Sequence, residues 1–124
     1  MRIIYSSPLS AEWIDGVHWR LNKDFTVIVH DDDGSRDIRI PAGFVTDFAS
    51  VPRLPGIYLF SGGVGHQAAT LHDWLYRNVQ IRKNRAWADR VFLAALHADG
   101  VSWVRSIFMW LGVRIFGWLF WMKR

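Results

Sequence analysis

β-branched and aromatic residues are concentrated in short runs along the first forty residues, as is typical of β-strands. Three runs have this character: residues 17–21, 25–29 and 36–40. In the last run, Ile38 and Ile40 alternate with charged residues, which predicts a strand with one solvent-exposed face. Residues 22–24 and residues 30–35, which include an Asp-Gly pair, are predicted to form hairpin turns. Residues 1–12 are predicted to be a short extended lead-in.

The pattern changes at Pro41, because Pro and Gly residues interrupt any long regular element as far as Gly63. A long irregular segment inside a compact domain is more often functional than merely connecting. Beyond it, apolar residues recur at helical spacing, and three helices are predicted at residues 64–77, 85–99 and 103–122. Asn84 and Ser102 are suitable N-caps, and Gly100 is a suitable stop for the second helix.

These elements predict an α+β fold, in which a small N-terminal antiparallel β-sheet is followed by an irregular loop and three C-terminal helices. A chain of 124 residues is long enough for one hydrophobic core and too short for a second. Residues 1–124 are therefore expected to form a single domain, with a β-hairpin region (1–40), an irregular loop (41–63) and a helical region (64–122).

The third predicted helix is apolar on every side. Its two internal charges, Arg105 and Arg114, are nine positions apart, which at about 100° per residue places them on opposite sides. Such a helix is either a core element with a protein interface or an interfacial membrane helix. The core element with a protein interface is the favoured interpretation, and the Trp-rich end followed by Lys123 and Arg124 keeps the interfacial membrane helix as an alternative. A spanning helix is disfavoured, because the segment falls short of about 20 residues and a central Arg costs about 3 kcal/mol.

Three helices and a small sheet cover only one broad stripe of such a helix, so part of its apolar surface is expected to stay exposed in a monomer. Eight Trp and eight Phe suit a small core, an interface or a membrane-surface belt. The net charge of +4 suits nucleic acid, anionic lipid or an acidic protein. There is no cysteine, which excludes disulfides and thiolate metal sites. No apolar signal segment follows Met1, so residence in the cytosol is expected.

Polar residues that can do chemistry lie on the first two predicted helices. His72 and Asp73 are adjacent, and Tyr76 shares a helix face with His72. Asp89 follows on the next helix, and antiparallel packing of the two helices would let it orient His72 through one ring nitrogen. The other nitrogen would then act as a general base or a metal ligand.

Two residues of the irregular segment complete the candidate site. Asp47, together with Asp73, would hold a divalent cation, calcium or zinc, although the identity of any cofactor stays open. Ser50 would be a nucleophile beside the base. The favoured interpretation of these residues is structural: the helix residues form a buried polar network that fixes the register of the helices, and Asp47 braces the loop by binding backbone amides.

Two clusters of charge are read as surface features. The acids at residues 31–33 lack the ligand spacing of a calcium loop and predict a solvated turn. Basic residues around the link between the first two helices would suit phosphate or an acidic protein: Arg77, Arg82, Lys83, Arg85 and Arg90. A solvated link is the favoured interpretation, and nucleic acid is a disfavoured partner.

Three motifs connect the chain to a known family. They are residues 41–53 (PAGFVTDFASVPR), 72–76 (HDWLY) and 88–92 (ADRVF). These motifs resemble a family of phage and prophage proteins, domain-of-unknown-function family 1353, and the resemblance covers most of the chain. It implies a phage or prophage origin and no particular reaction.

A second likeness is local. The spacing of His72, Asp73 and Tyr76, with a later Asp89, is similar to the helix-pair site of secreted phospholipases. This likeness implies that His72 is the base, that Asp73 binds calcium, and that Tyr76 and Asp89 orient His72. The chain departs from those enzymes in having no cysteines and no recognisable Gly-rich calcium loop.

Three hypotheses of function follow. The favoured one is a phage structural or accessory protein of the tail or lysis module, acting through protein or membrane contacts of residues 103–122. Its partner would be a virion or host-envelope protein, a second copy of the chain or a membrane surface. It would be located in the host cytoplasm, in the virion or at the membrane surface. The first alternative is a small metal-assisted hydrolase acting on lipid or cell-wall substrate, so whether the protein is an enzyme stays open. The second alternative is a nucleic-acid-directed accessory factor.

Overall fold

The computed structural model describes residues 1–14, 18–46, 66–78 and 85–116. In this part of the chain, six strands precede three helices, which confirms the predicted α+β class. The strands are β1 (Arg2–Tyr5), β2 (Ala11–Trp13), β3 (Trp19–Leu21), β4 (Phe25–Asp31), β5 (Gly34–Ile40) and β6 (Val45–Thr46). The helices are α1 (His66–Arg77), α2 (Arg85–Ala98) and α3 (Trp103–Phe116). Most of the predicted irregular loop, from residue 47 to 63, lies outside the described residues.

The first sheet has the strand order β1-β4-β5 and is antiparallel throughout. The predicted turn after β4 is present, since Asp31 pairs with Gly34 across a tight turn. Gly34 has a φ of 120°, which residues with a Cβ rarely adopt, and the N–H of Asp33 donates to Asp31 Oδ1 at 2.9 Å. Ile38 and Ile40 of β5 are buried, as their alternation with charged residues predicts.

Residues 22–24 do not form a hairpin turn, so that prediction is wrong. β3 pairs with β2 and β6 in a second antiparallel sheet, and this segment carries the chain from one sheet to the other. Asp24 fixes the crossing, because it accepts hydrogen bonds from the N–H of Ala42 at 2.9 Å and from Arg39 Nε at 2.6 Å. These two contacts lower the pKa of Asp24. A period-two pattern identifies strands without identifying which strands pair.

The predicted lead-in also belongs to the sheets. β1 pairs along its length with β4, and β2 pairs with β3. Each is the edge strand of its own three-stranded sheet, so the N-terminal region contains two sheets where one was predicted.

All three predicted helices are present, and the capping signals at Gly100 and Ser102 act as expected, whereas Asn84 lies outside the described residues. α2 ends at Ala98, Gly100 follows with a φ of 84°, and the N–H of Val101 donates to the carbonyl of Leu96 at 3.0 Å. This is the left-handed termination that glycine favours. At the start of α3, Ser102 Oγ accepts a hydrogen bond from the N–H of Arg105 at 3.3 Å.

α2 is the central element, in contact with β1, α1 and α3. Two polar contacts join it to the first sheet: Trp87 Nε1–H donates to Asp31 Oδ2 at 2.9 Å, and the hydroxyl of Tyr5 donates to the carbonyl of Ala95 at 3.4 Å. One cluster of buried side chains runs from this sheet through α1 and α2 to α3. Side chains of α1 and α3 therefore both pack against α2.

α3 buries only one of its sides. Ser106, Met109 and Val113 are buried, whereas several large apolar side chains of the same helix are exposed. The expectation that the domain covers one stripe of this helix is thus confirmed for residues 103–115. Among the helices that the structure describes, none is long and apolar enough to cross a membrane. The predicted continuation of α3 to residue 122 lies outside the described residues.

Candidate functional site

The predicted contact between His72 and Asp89 is present where α1 packs on α2. His72 Nε2 lies 2.8 Å from Asp89 Oδ1. His72 is 4% exposed and Asp89 0%, so water screens this contact very little. The His72 ring also packs on the ring of Phe92, with centroids 4.6 Å apart. The hydrogen bond and the ring contact together fix the orientation of the imidazole.

Tyr76, one helical turn after His72, binds the same carboxylate oxygen. Its hydroxyl donates to Asp89 Oδ1 at 2.5 Å, and its ring centroid lies 4.2 Å from that of His72. Burial, followed by the charge of Asp89, raises the pKa of Tyr76. The hydroxyl therefore stays protonated at neutral pH and acts as a donor.

Two arginines that are absent from the predicted site bind the other oxygen of Asp89. Arg114 Nη1 lies 2.9 Å from Asp89 Oδ2, and Arg85 Nη1 lies 3.5 Å from it. Arg85 also donates to the carbonyls of Val113 and Arg114 at 3.0 and 3.1 Å, near the end of α3. The sequence holds a signal for each arginine. Arg85 precedes Asp89 by four positions on a helix, and Arg114 lies in the middle of an apolar segment, where a buried cation is usually paired.

The groups around Asp89 determine which nitrogen of His72 carries the proton. Tyr76 and Arg114 donate hydrogen bonds to Asp89 and Arg85 forms an ion pair with it, so the carboxylate oxygens act as acceptors and His72 donates through Nε2–H. In a neutral imidazole the lone pair is then on Nδ1. Nδ1 makes no hydrogen bond to any residue in the described part of the chain. An imidazole oriented in this way is able to act as a general base.

Asp73, the predicted cation ligand, has a different partner. Its Oδ1 lies 3.0 Å from Arg77 Nε, and the Asp73 side chain is 5% exposed. Arg77 also donates to the carbonyl of Val45 at 3.2 Å and lies over the ring of Phe44. The ion pair neutralises Asp73 and ties α1 to the second sheet.

Asp47 and Ser50 lie outside the described residues, so their predicted roles stay predictions. Within residues 1–14, 18–46, 66–78 and 85–116, no group of three or more His, Asp or Glu side chains could hold a metal ion. The described part of the chain supplies Asp73 alone to the predicted cation site, and that carboxylate is paired with Arg77.

Comparison with known proteins identifies a family. A family model described as "Protein of unknown function (DUF1353)" matches residues 19–113. The chain belongs to the DUF1353 family. The matched region contains His72, Asp73, Tyr76, Arg85 and Asp89, whereas Arg114 lies one residue beyond it. No curated protein and no solved structure matches the chain.

The basic cluster of this DUF1353 protein is partly engaged in ion pairs. Arg77 is paired with Asp73, and Arg85 with Asp89. Arg90 is exposed, and residues 82 and 83 lie outside the described part of the chain. Two of the five cations proposed for a phosphate-binding surface therefore have carboxylate partners.

Proposed function

We propose that the protein is a small hydrolase in which His72 is the general base. The observation that carries the proposal is the 2.8 Å contact between His72 Nε2 and Asp89 Oδ1. A carboxylate bound to one imidazole nitrogen fixes the tautomer and stabilises the imidazolium that forms when the other nitrogen takes up a proton. Tyr76 and Arg114 hold this carboxylate in place.

The proposed reaction is the hydrolysis of an ester. Nδ1 of His72 removes a proton from water, while the water oxygen forms a bond to the carbonyl carbon. When the tetrahedral intermediate collapses, the bond from carbon to the leaving alcohol oxygen breaks, and His72 returns the proton to that oxygen. Asp89 remains ionised throughout and stabilises the imidazolium. A positioned base of this kind typically accelerates a reaction by about 10²–10⁴-fold.

The local likeness to secreted phospholipases supports a lipid or cell-wall ester as the substrate. His72, Tyr76 and Asp89 make the contacts that this likeness implies. The likeness also implies calcium at Asp73. Because Asp73 is paired with Arg77, the described residues do not form a cation site by themselves, and no step above depends on a metal.

The test measures hydrolysis of a soluble short-chain ester and of phospholipid vesicles, with and without added calcium or zinc. We expect His72→Gln to lower kcat by about 10²-fold or more with little change in KM. His97→Gln, the same substitution at an exposed histidine of α2, is the matched control and should leave the rate unchanged. A wild-type protein that hydrolyses neither substrate, combined with a lower Tm for His72→Gln, would assign the network a structural role and end the proposal.

The exposed apolar surface of α3 favours a second candidate, a phage or prophage structural or accessory protein of the tail or lysis module. The resemblance to phage and prophage proteins supports this origin, with the host cytoplasm as the place of synthesis. Its contacts would be with a virion or host-envelope protein, a second copy or a membrane. Immunoblotting of purified virions and of the host envelope fraction tests it, and absence from both would contradict it.

A further inference from the structure

We propose that the exposed face of α3 docks onto an anionic lipid surface. This α3 outer face is formed by five side chains that are 40–65% exposed: Trp103, Val104, Phe108, Leu111 and Ile115. The inference rests on the second candidate function, for which it names the partner. It does not depend on catalysis by His72.

The outer face is continuous along the helix. Val104, Phe108, Leu111 and Ile115 follow one another at intervals of four, three and four residues, which places them on one side of α3. The buried residues Ser106, Met109 and Val113 follow the same spacing on the opposite side. Single exposed apolar residues are ordinary on a protein surface, but a contiguous group marks a surface that binds a partner.

Charge identifies the kind of partner. Residues 103–124 contain four basic residues, Arg105, Arg114, Lys123 and Arg124, and no acidic residue. The chain has 15 basic and 11 acidic residues, so the rest of it is balanced and the whole net charge of +4 belongs to this segment. Arg105 is exposed beside the outer face. Because Arg114 is paired with Asp89, the positive charge of this segment that remains for a partner comes from Arg105, Lys123 and Arg124. A helix with an apolar outer face in a segment of this charge complements a surface of acyl chains and anionic headgroups.

A second copy is a poorer match for the same face. Pairing α3 with itself would bring together two segments that contain no acidic residue and are both cationic, even though Arg114 of each is paired with Asp89. Trp103, which is 65% exposed at the start of the helix, is also a residue type that prefers the headgroup zone of a bilayer.

The experiment is flotation of the full chain with two kinds of vesicle: phosphatidylcholine alone, and equal parts of phosphatidylcholine and phosphatidylglycerol. We expect binding to the anionic vesicles to be about tenfold stronger or more, and to weaken with added salt. Phe108→Ser combined with Leu111→Ser should reduce binding by about tenfold or more, because two large apolar contacts with the bilayer are lost. Trp13→Ser is the matched control, since Trp13 is 59% exposed on β2, and it should bind as the wild type does.

Four results would overturn the proposal: no binding to either vesicle, equal binding to both, an equal loss in the Trp13→Ser control, or a dimer that the α3 double substitution dissociates while vesicles are ignored. His72→Gln should float like the wild type. Hydrolysis of a soluble short-chain ester does not require docking, so failure of the docking proposal and failure of the hydrolase proposal are distinguishable.

Discussion

Asp89 of α2 and Arg114 of α3 are joined by a 2.9 Å hydrogen bond from Arg114 Nη1 to Asp89 Oδ2. The other oxygen of the same carboxylate binds His72 of α1. One fully buried carboxylate therefore connects all three described helices. Asp89, which is proposed to orient His72, also binds α3, which is proposed to dock onto lipid. A displacement of α3 would therefore change the position of Asp89 and the orientation of His72.

Arg114→Met should destabilise the protein. Met keeps the helix propensity and the apolar length, but Asp89 Oδ2 is left with Arg85 at 3.5 Å as its charged partner. Removing one partner of a fully buried pair costs about 3–5 kcal/mol. Because the Arg114 side chain is 32% exposed and Arg85 remains, we expect a smaller loss of about 1–3 kcal/mol in the free energy of unfolding.

Urea unfolding followed by circular dichroism measures this loss. Arg105→Met, on the exposed side of the same helix, is the control and should change stability by no more than about 0.5 kcal/mol. Equal effects of the two substitutions would show that the Asp89–Arg114 contact contributes nothing specific.

Asp99 should make the stability of the protein depend on pH. Burial raises the pKa of Asp99, and this effect outweighs the hydrogen bonds that Asp99 accepts from the N–H of Ala68 and from Gln67 Nε2. The folded-state pKa thus lies above the ordinary value of 3.8, so the folded state binds more protons than the unfolded state. The contribution of Asp99 is most favourable below pH 3.8 and is lost as the pH rises through the folded-state pKa.

Asp99→Asn removes this titration while keeping an oxygen that can accept from Ala68. We expect the stability of the wild type relative to Asp99→Asn to fall as the pH is raised from about 4 towards neutrality. Urea unfolding at a series of pH values measures the difference, and a difference that stays flat or grows with pH would contradict the assignment.

The local part of the structure could be predicted from sequence, and the long-range part could not. The start of α3 after Ser102 and the end of α2 before Gly100 follow from capping chemistry within a few residues. The contact between His72 and Asp89 follows from the packing of two short helices that are joined by a short link. The pairing of β3 with β6 and the reach of Arg114 to Asp89 depend on how distant segments pack. The alternation of apolar residues in a strand, and their spacing in a helix, determine which face of the element is buried. They do not determine which other strand or helix packs on that face, because several could do so.

Gly100→Ala should destabilise the end of α2. A Cβ at this position would meet no atom within 4 Å, so the cost arises from the backbone, whose φ of 84° disfavours a side chain. We expect a loss of about 1 kcal/mol in the free energy of unfolding. Gly100→Asn is the control, because Asn tolerates this conformation better and should lose less. Thermal unfolding resolves the two variants, and an Ala variant as stable as the wild type would contradict the account.

Tyr76→Phe tests the contribution of the Tyr76 hydroxyl separately from that of its ring. The substitution removes the donor at 2.5 Å from Asp89 Oδ1 and keeps the ring that packs against His72. Asp89 then retains His72 as the side-chain donor to this oxygen, and a hydrogen bond to a charged group typically contributes about 1.5–3 kcal/mol. We expect a loss of stability near the lower end of that range, since one donor remains.

The effect of Tyr76→Phe on ester hydrolysis tests the role of the network. If Tyr76 holds Asp89 so that Asp89 can orient His72, kcat should fall by about tenfold, less than for His72→Gln, with KM nearly unchanged. Tyr5→Phe is the matched control, because the Tyr5 hydroxyl also points at α2 but donates to the carbonyl of Ala95 at 3.4 Å, away from Asp89. It should lower stability slightly and leave hydrolysis unchanged. Equal losses of kcat in the two variants would trace the effect to loosened packing and would remove Tyr76 from the site.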